Sequence, residues 1–524
     1  MSSRIITIIL AIVFAAPVWG MPRVVLNPNR PLQQQLSKPN TRYVIKKPID
    51  LQSSTITIPA GSTLEFKCKG IIHNGTICGN ETKIKKPKLQ RIRFAGSFIN
   101  DAITVNDDID VETDFWSFIE CFPKADVTLT KDIALSDTQV KDMNVNRFHI
   151  NGKGHVIKVQ RCPILRNVDV KLENVTFECT DASEHVIYAI GGQGRHFAAR
   201  KCSFVNVPEV TSLCSRAYDD VLIEQCFISG LLKPSSRRST EFNTQILVYA
   251  CSGRVIIRDN AIKDCYGGAI KGIGFKADEH SCVLVENNTV DNVSNGGIVF
   301  AGGEVWNITI INNKISQTHS LGKQFDKELD GAINSAINIH GFHNALVENN
   351  IIENCPKSSS LDFDGSVAGE SSVAKGTGLV VRNNHISHSG PVAIFVVQDA
   401  EFRGNTIHND SDYDSQNIVS ISGSSNLHIE GNTFHLNKGK ARSFYPIYLT
   451  DSKYVHSGQI RIEGNSIETN GEHFIFVNHD FTGDCQISDN SVNASGRKDG
   501  NLNIINNSKT KVAIPSKSKL IRYR

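Results

Sequence analysis

The sequence predicts an all-β solenoid, a stack of coils each built from short strands and polar turns. Three observations carry this. From about residue 170 one pattern recurs, in segments such as VIIRDNAI, VLVENNTV, ITIINNKI, ALVENNII, LHIEGNTF and IRIEGNSI. Each is an alternating apolar strand, a polar turn with an asparagine, and a further apolar pair. The aligned turn residues are Asn260, Asn288, Asn313, Asn350, Asn384, Asn405, Asn432, Asn465 and Asn490. Their spacings run from 21 residues (Asn384 to Asn405) to 37 (Asn313 to Asn350), the range of repeat architectures. Finally, no amphipathic helical period separates the strands. One coil cannot bury its apolar face alone, whereas coils stacked about 4.8 Å apart form continuous parallel sheets around a core.

The elements follow in chain order. Residues 1–20, MSSRIITIILAIVFAAPVWG, have a basic start, a short apolar run and small residues at the end. This is the pattern of a secretory signal peptide cleaved near Gly20, and the run is short for a membrane span. A secreted or periplasmic protein without a membrane segment is expected. Residues 21–150 are less regular and are read as an N-terminal cap with the first coils. Residues 151–508 are the solenoid proper, and 509–524 a polar, basic tail that caps or frays. Of 524 residues 40% are hydrophobic, so a large core is affordable and disorder is excluded. The net charge of +3 selects no partner by overall field. Nucleic acid is not an expected partner, and a monomer is expected.

A side-chain amide at the same turn of every coil can bond to those above and below, making an asparagine ladder. Cys202 and Cys226 occupy this position in earlier coils. They are therefore read as small buried residues of the stack rather than disulfide partners, although an odd count of 13 cysteines in an exported chain raises that question.

With these repeats, residues 150–508 resemble the right-handed parallel β-helix proteins of the pectin-lyase-like superfamily. The resemblance implies a right-handed parallel β-helix solenoid with an N-terminal capping segment. It also implies carbohydrate chemistry among lyases, hydrolases, esterases and tailspikes, without selecting one.

A further strand recurs in each coil: GAIKGI (268–273), SAINIH (335–340), SLDFDG (360–365), VAIFVV (392–397), PIYLTD (446–451) and FIFVNH (474–479). Alternation turns Ile337, Ile339, Leu361, Phe363, Ile394 and Val396 inward. It turns Tyr249, Lys271, Asn338, His340, Asp362, Asp364, Phe395, Tyr448 and Phe476 outward. Asp362 is thus expected beside Asn338, Asp364 beside His340, and Lys271 two coils earlier. Two carboxylates about 6.5 Å apart along a strand repel each other and attract a proton, a cation or a substrate. Outward aromatics suit the apolar face of a pyranose. The loops 233–242, 322–331 and 437–446, with Arg237, Arg238, Lys323, Lys327, Lys438, Lys440 and Arg442, favour an anionic polymer.

Two chemistries fit. In β-elimination on a uronic-acid polysaccharide, His340 or Lys271 is the base. Arg238, or a calcium ion held by Asp362 and Asp364, neutralises the substrate carboxylate. Resemblance supports this route, since β-helix lyases use Lys or Arg bases and often calcium. In inverting hydrolysis, Asp362 and Asp364 are the acid and base at the lower edge of the spacing that admits a water. Here the resemblance is to polygalacturonase-like hydrolases, but the NTD, GHG and RIK strings of that family are missing. Elimination is preferred on the basic loops, with a glycosaminoglycan, pectin or alginate type of substrate. Asn338, Arg238, Tyr249, Phe395, Tyr448 and Lys323 are the expected substrate contacts. The third reading is a glycan-binding β-helix without catalysis.

Overall fold

The computed structural model describes residues 20–109, 115–135, 142–143, 145–159, 163–179, 186–207, 213–230, 244–265, 267–275, 278–318, 335–355, 359–366, 376–409, 417–437, 444–453, 455–471, 473–494, 503–514 and 519–521. The chain divides into two compact units, residues 1–100 with 107–111, and residues 101–106 with 112–524. In the first unit seven strands pair in parallel. Its longest, Ile71–Lys85, runs beside Leu89–Phe98, with Ile72 opposite Leu89.

The second unit is a parallel β-helix. Its described strands form three long sheets of 16, 14 and 15 strands, called A, B and C in the order in which a coil visits them. One turn runs through Val397–Arg403 in A, Thr406–Asn409 in B and Asn417–Ser422 in C. Inward rows are aliphatic and sealed: Val347, Ile352, Phe363, Ile394 and Ile421 have no exposed surface. Each such side chain contributes about 1.5–3 kcal/mol of burial.

The corner from A to B explains the recurring NN and GN pairs. Its first residue takes a left-handed backbone, with φ of 57° at Asn312, 56° at Asn349, 57° at Asn383 and 62° at Gly404. Asparagine and glycine tolerate that conformation best. The second residue turns inward as the ladder amide. Asn350 Nδ2 donates to Asn384 Oδ1 at 3.0 Å and to the Ile310 carbonyl at 2.9 Å. Asn350 Oδ1 accepts from the backbone N–H and Nδ2 of Asn313, at 2.9 and 3.0 Å. The same exchange runs from Asn260 to Asn490. Cys226 starts it by donating its backbone N–H to Asn260 Oδ1 at 2.9 Å. Cys202 and Cys226 are both buried, and no described cysteine is in a disulfide; Cys162 lies outside the described residues.

Three features add to the sequence reading. Coils of the second unit already begin at Ala102–Val105. The short helix Phe115–Cys121 buries Phe115, Trp116, Phe118 and Ile119 and sets Trp116 against Phe148, 6.1 Å between ring centroids. The tail does not simply fray: Val512–Ala513 extends sheet A and Lys519–Ile521 extends sheet C. The expected signal peptide falls almost wholly outside the described residues. No helix among the described residues is long and apolar enough to cross a membrane.

The ladder makes a direct prediction. Asn350→Ala leaves the Asn313 N–H and the Ile310 carbonyl without this partner in a dry corner. At about 1–3 kcal/mol for each orphaned group, the variant is expected to lose at least about 2 kcal/mol in urea unfolding. An unchanged midpoint would mean that the amides merely fill space.

Candidate active site on sheet C

Two rows of side chains run along the outer face of sheet C, parallel to the stack. One passes through Leu247, Lys271, Val299, Asn338, Asp362, Ala393, Ser420, Tyr448 and Phe476. The other passes through Arg216, Tyr249, Ile273 and Ala301. In later coils it holds His340, Asp364, Phe395, Ser422 and Thr450. The expected pairings hold, with Asn338 in register with Asp362 and His340 with Asp364. Lys271 is two coils before Asn338, on the Asn338 row.

Strand alternation brings the cluster together, and hydrogen bonds fix it. Asn338 Nδ2 donates to Asp362 Oδ2 at 3.0 Å and meets His340 Nε2 at 3.1 Å. Ser335 Oγ donates to the same Asp362 oxygen at 3.3 Å. Asp364 Oδ1 accepts from the Ser366 N–H at 2.9 Å and its hydroxyl at 2.7 Å. Gly341, with φ of 59°, turns the chain into sheet A immediately after His340.

Burial pushes the Asp362 carboxyl above its ordinary range. His340 and the Ser335 and Asn338 donors oppose this, and the neighbouring charge of Asp364 adds to it. Both donors converge on Oδ2, so an acidic proton belongs on Oδ1. An amide nitrogen can only donate, so His340 Nε2 is the acceptor and its proton sits on Nδ1. Asn338 has no exposed surface, and its Oδ1 is buried without a hydrogen-bond partner. It bonds to Asp362 and His340 and presents no surface for the substrate contact expected of it.

Beyond the pair, Phe395 stands in register with Asp364 and Ala393 with Asp362. Ser420 follows, then Tyr448 and Phe476, whose rings stack at 5.3 Å with planes 3° apart. Tyr445 joins them, 4.6 Å from Phe476. Tyr249 faces outward as expected, but the Arg216 guanidinium lies 4.8 Å from its ring centroid, so one ring face is taken. Arg237, Arg238, Lys323, Lys327, Lys438, Lys440 and Arg442 lie outside the described residues. No group of three or more His, Cys, Asp or Glu side chains among the described residues is arranged to hold a metal ion. Calcium at Asp362 and Asp364 would need other oxygens to complete its shell. It would also need both carboxylates ionised, which the burial of Asp362 opposes.

Some polar groups had no signal in the alternating pattern. Trp306 and His343 stack at 4.1 Å on sheet A, two residues past the Gly341 bend in the case of His343. On sheet B, His388 stacks on His408 at 5.7 Å, and His435 lies tilted against His408 at 5.9 Å. The last two line an open cavity of about 460 Å³ with Glu468. This cavity is on a different sheet from the carboxylate pair.

Residues 148–327, 246–457 and 335–513 match the family model described as right handed beta helix region. Among solved structures, the chain is similar to DFA-IIIase from Arthrobacter chlorophenolicus A6 in complex with GF2, at 14% identity and TM-score 0.42, covering 80% of this chain and 99% of that one. It is similar to the surface protein and adhesin PfbA of Streptococcus pneumoniae at 15% identity and TM-score 0.30, over 86% and 91%. The mannuronan C-5 epimerase AlgE6 A-module of Azotobacter vinelandii matches at 12% identity and TM-score 0.26, over 84% and 91%. Among curated proteins none matches the chain in sequence.

The raised carboxyl has a stability consequence whose sign is fixed. An acid with a higher pKa folded than unfolded holds its proton more tightly when folded. It supports the fold fully below the unfolded pKa and loses that support as pH rises through the folded one. Asp362→Asn is therefore expected to melt higher than the parent at pH 7, with the gain vanishing at pH values below the ordinary carboxylate range. Melting curves across pH check this; a variant less stable at pH 7 would show that the ionised carboxylate is well accommodated.

Proposed function

The chain belongs to the right-handed β-helix family, whose model matches span well over half of it, and from that premise we propose that it is an enzyme cleaving an acidic polysaccharide along sheet C, with Asp362 as general acid and Asp364 as general base of an inverting hydrolysis. A fold of this kind hosts many activities, so the reading rests on the site. The observation that carries it is the unequal treatment of two neighbouring carboxyls. Asp362 is pushed toward its protonated form by burial, while Asp364 sits among donors from Ser366. Titratable neighbours whose surroundings differ in this way mark an acid and a base.

In the proposed reaction, Asp362 Oδ1 gives its proton to the glycosidic oxygen as the bond to the anomeric carbon breaks. Asp364 takes a proton from a water that attacks that carbon from the opposite face. Residues i and i+2 of one strand are about 6.5 Å apart, within the separation of about 6.5–9.5 Å that admits this water. Asn338 and Ser335 hold Asp362 Oδ2, so that Oδ1 is the oxygen that gives up the proton. Phe395, Tyr448 and Phe476 offer ring faces to sugars bound on the downstream side.

Elimination is the second reading, and the basic loops favour it from sequence. It asks for a base and a neutralised substrate carboxylate. His340 directs Nε2 to Asn338 and its other nitrogen carries the proton, so in that reading Lys271 is the base and His340 only donates a hydrogen bond. Calcium held by Asp362 and Asp364 would supply the neutralising charge in that reading.

The test is to incubate the purified protein with uronic-acid polysaccharides, with and without EDTA, and follow ultraviolet absorbance and reducing ends together. New reducing ends without an absorbance rise, in both conditions, are expected. A rise from unsaturated uronate would overturn hydrolysis, and its loss with EDTA would favour the calcium-assisted route. Asp362→Asn and Asp364→Asn are each expected to lower kcat by about 10²–10⁴-fold. Tyr448→Ala should instead raise KM roughly tenfold with kcat little changed, in line with an aromatic contact worth about 0.5–1.5 kcal/mol. A kcat loss alone would remove Tyr448 from the binding surface.

A further inference from the structure

Upstream of the carboxylate pair, sheet C presents a cation with no acidic partner among the described residues. Arg216 ends the strand Leu213–Arg216, is exposed, and stands in register with Tyr249 of the next coil. Its guanidinium lies 4.8 Å from the centre of the Tyr249 ring. From the preceding coil, the Tyr188 hydroxyl interacts with it and helps to hold it charged. Arginines on sheet A are neutralised instead: Arg258 meets Glu224 at 2.6 Å and Arg382 meets Glu348 at 2.8 Å. No carboxylate among the described residues pairs with Arg216.

A side chain held from both sides by aromatic residues has already lost much of its rotamer freedom, so less ordering remains when a ligand arrives. The guanidinium fork matches a planar carboxylate or a sulfate edge with two parallel hydrogen bonds. Its place is also telling. Arg216, Tyr249, Ile273 and Ala301 lead along one row toward the coil of His340 and then Asp364. At about 4.8 Å per coil, Arg216 is roughly 19 Å from His340 along the stack. Lys271 lies between them on the neighbouring row. A pyranose in an extended chain is about as long as one coil is thick, so a polymer lying along sheet C would reach Arg216 a few sugars from the bond that breaks.

We propose that Tyr188, Arg216 and Tyr249 form an anion-binding subsite that grips a carboxylate or sulfate of the polysaccharide, five coils upstream of Asp362 and Asp364. The proposal rests on the reading of sheet C as the surface that binds an acidic polymer. The subsite would anchor long chains and leave very short ones untouched.

The test is affinity electrophoresis of the full-length protein in gels holding polygalacturonate (carboxylate only), dextran sulfate (sulfate only) or plain dextran. The parent protein is expected to be retarded by one or both charged polymers and not by dextran. Arg216→Gln should weaken that retardation about tenfold with an unchanged melting temperature, because the residue is exposed. Arg216→Lys, which keeps the charge and loses the fork, should fall between. The polymer that is more sensitive to Arg216→Gln identifies the anion. Equal retardation of parent and Arg216→Gln would overturn the subsite alone. A parent protein retarded by neither charged polymer would overturn the subsite together with the acidic-substrate reading.

Discussion

Each asparagine from Asn260 to Asn465 passes its side-chain amide to the next coil, inside a corner closed to water. A polar side chain there is costly unless every donor has an acceptor. A shift of one residue in any coil would break the exchange and turn its apolar row to solvent. The stacking register is therefore fixed twice, by amides at one corner and by aliphatic side chains in the core. Everything on the outer faces inherits that register. Asp362 reaches Asn338 because Asn313 reaches Asn350.

The outer face of sheet C uses this precision for a different end. Along sheet A, opposite charges meet coil by coil, as in the pairs of Arg258 with Glu224 and Arg382 with Glu348. On sheet C, Asp362 and Asp364 stand together, and the groups around them are mainly hydrogen-bond donors and His340. Asn338 retains a buried oxygen without a partner, a cost of about 1–3 kcal/mol. It follows from aiming both amide hydrogens at Asp362 and His340. A residue serving stability alone would not leave that oxygen orphaned, whereas one orienting an acid has reason to.

Much of this was legible in the sequence because a β-helix writes its geometry in short repeats. The period-two alternation of INIH and LDFD set which side chains turn outward, and the aligned asparagines set which coils are neighbours. The pairing of Asp362 with Asn338 and of Asp364 with His340 needs nothing more. What alternation does not encode is depth. Asn338 lies on the outward row yet is sealed, because burial depends on what covers a residue and not on its parity. Arg216 carries no sequence signal because LCSR is too short to stand out as a strand. The stack of Trp306 on His343 joins coils 37 residues apart, across the loop between two strands, where spacing varies most. The strands formed by the tail carry no signal for a related reason: Val512–Ala513 is two residues long, below the length at which a pattern is visible.

The central claim is that Asp362 and Asp364 act as a pair from opposite sides of the sugar. The measurement that tests it most directly is the proton NMR spectrum of the first product formed from an acidic oligosaccharide of known linkage, recorded before mutarotation. The account predicts that the anomeric proton appears with the configuration opposite to that of the bond cleaved. Retained configuration would require a covalent intermediate on one of the two carboxylates, and a vinylic proton would require elimination; either would contradict it.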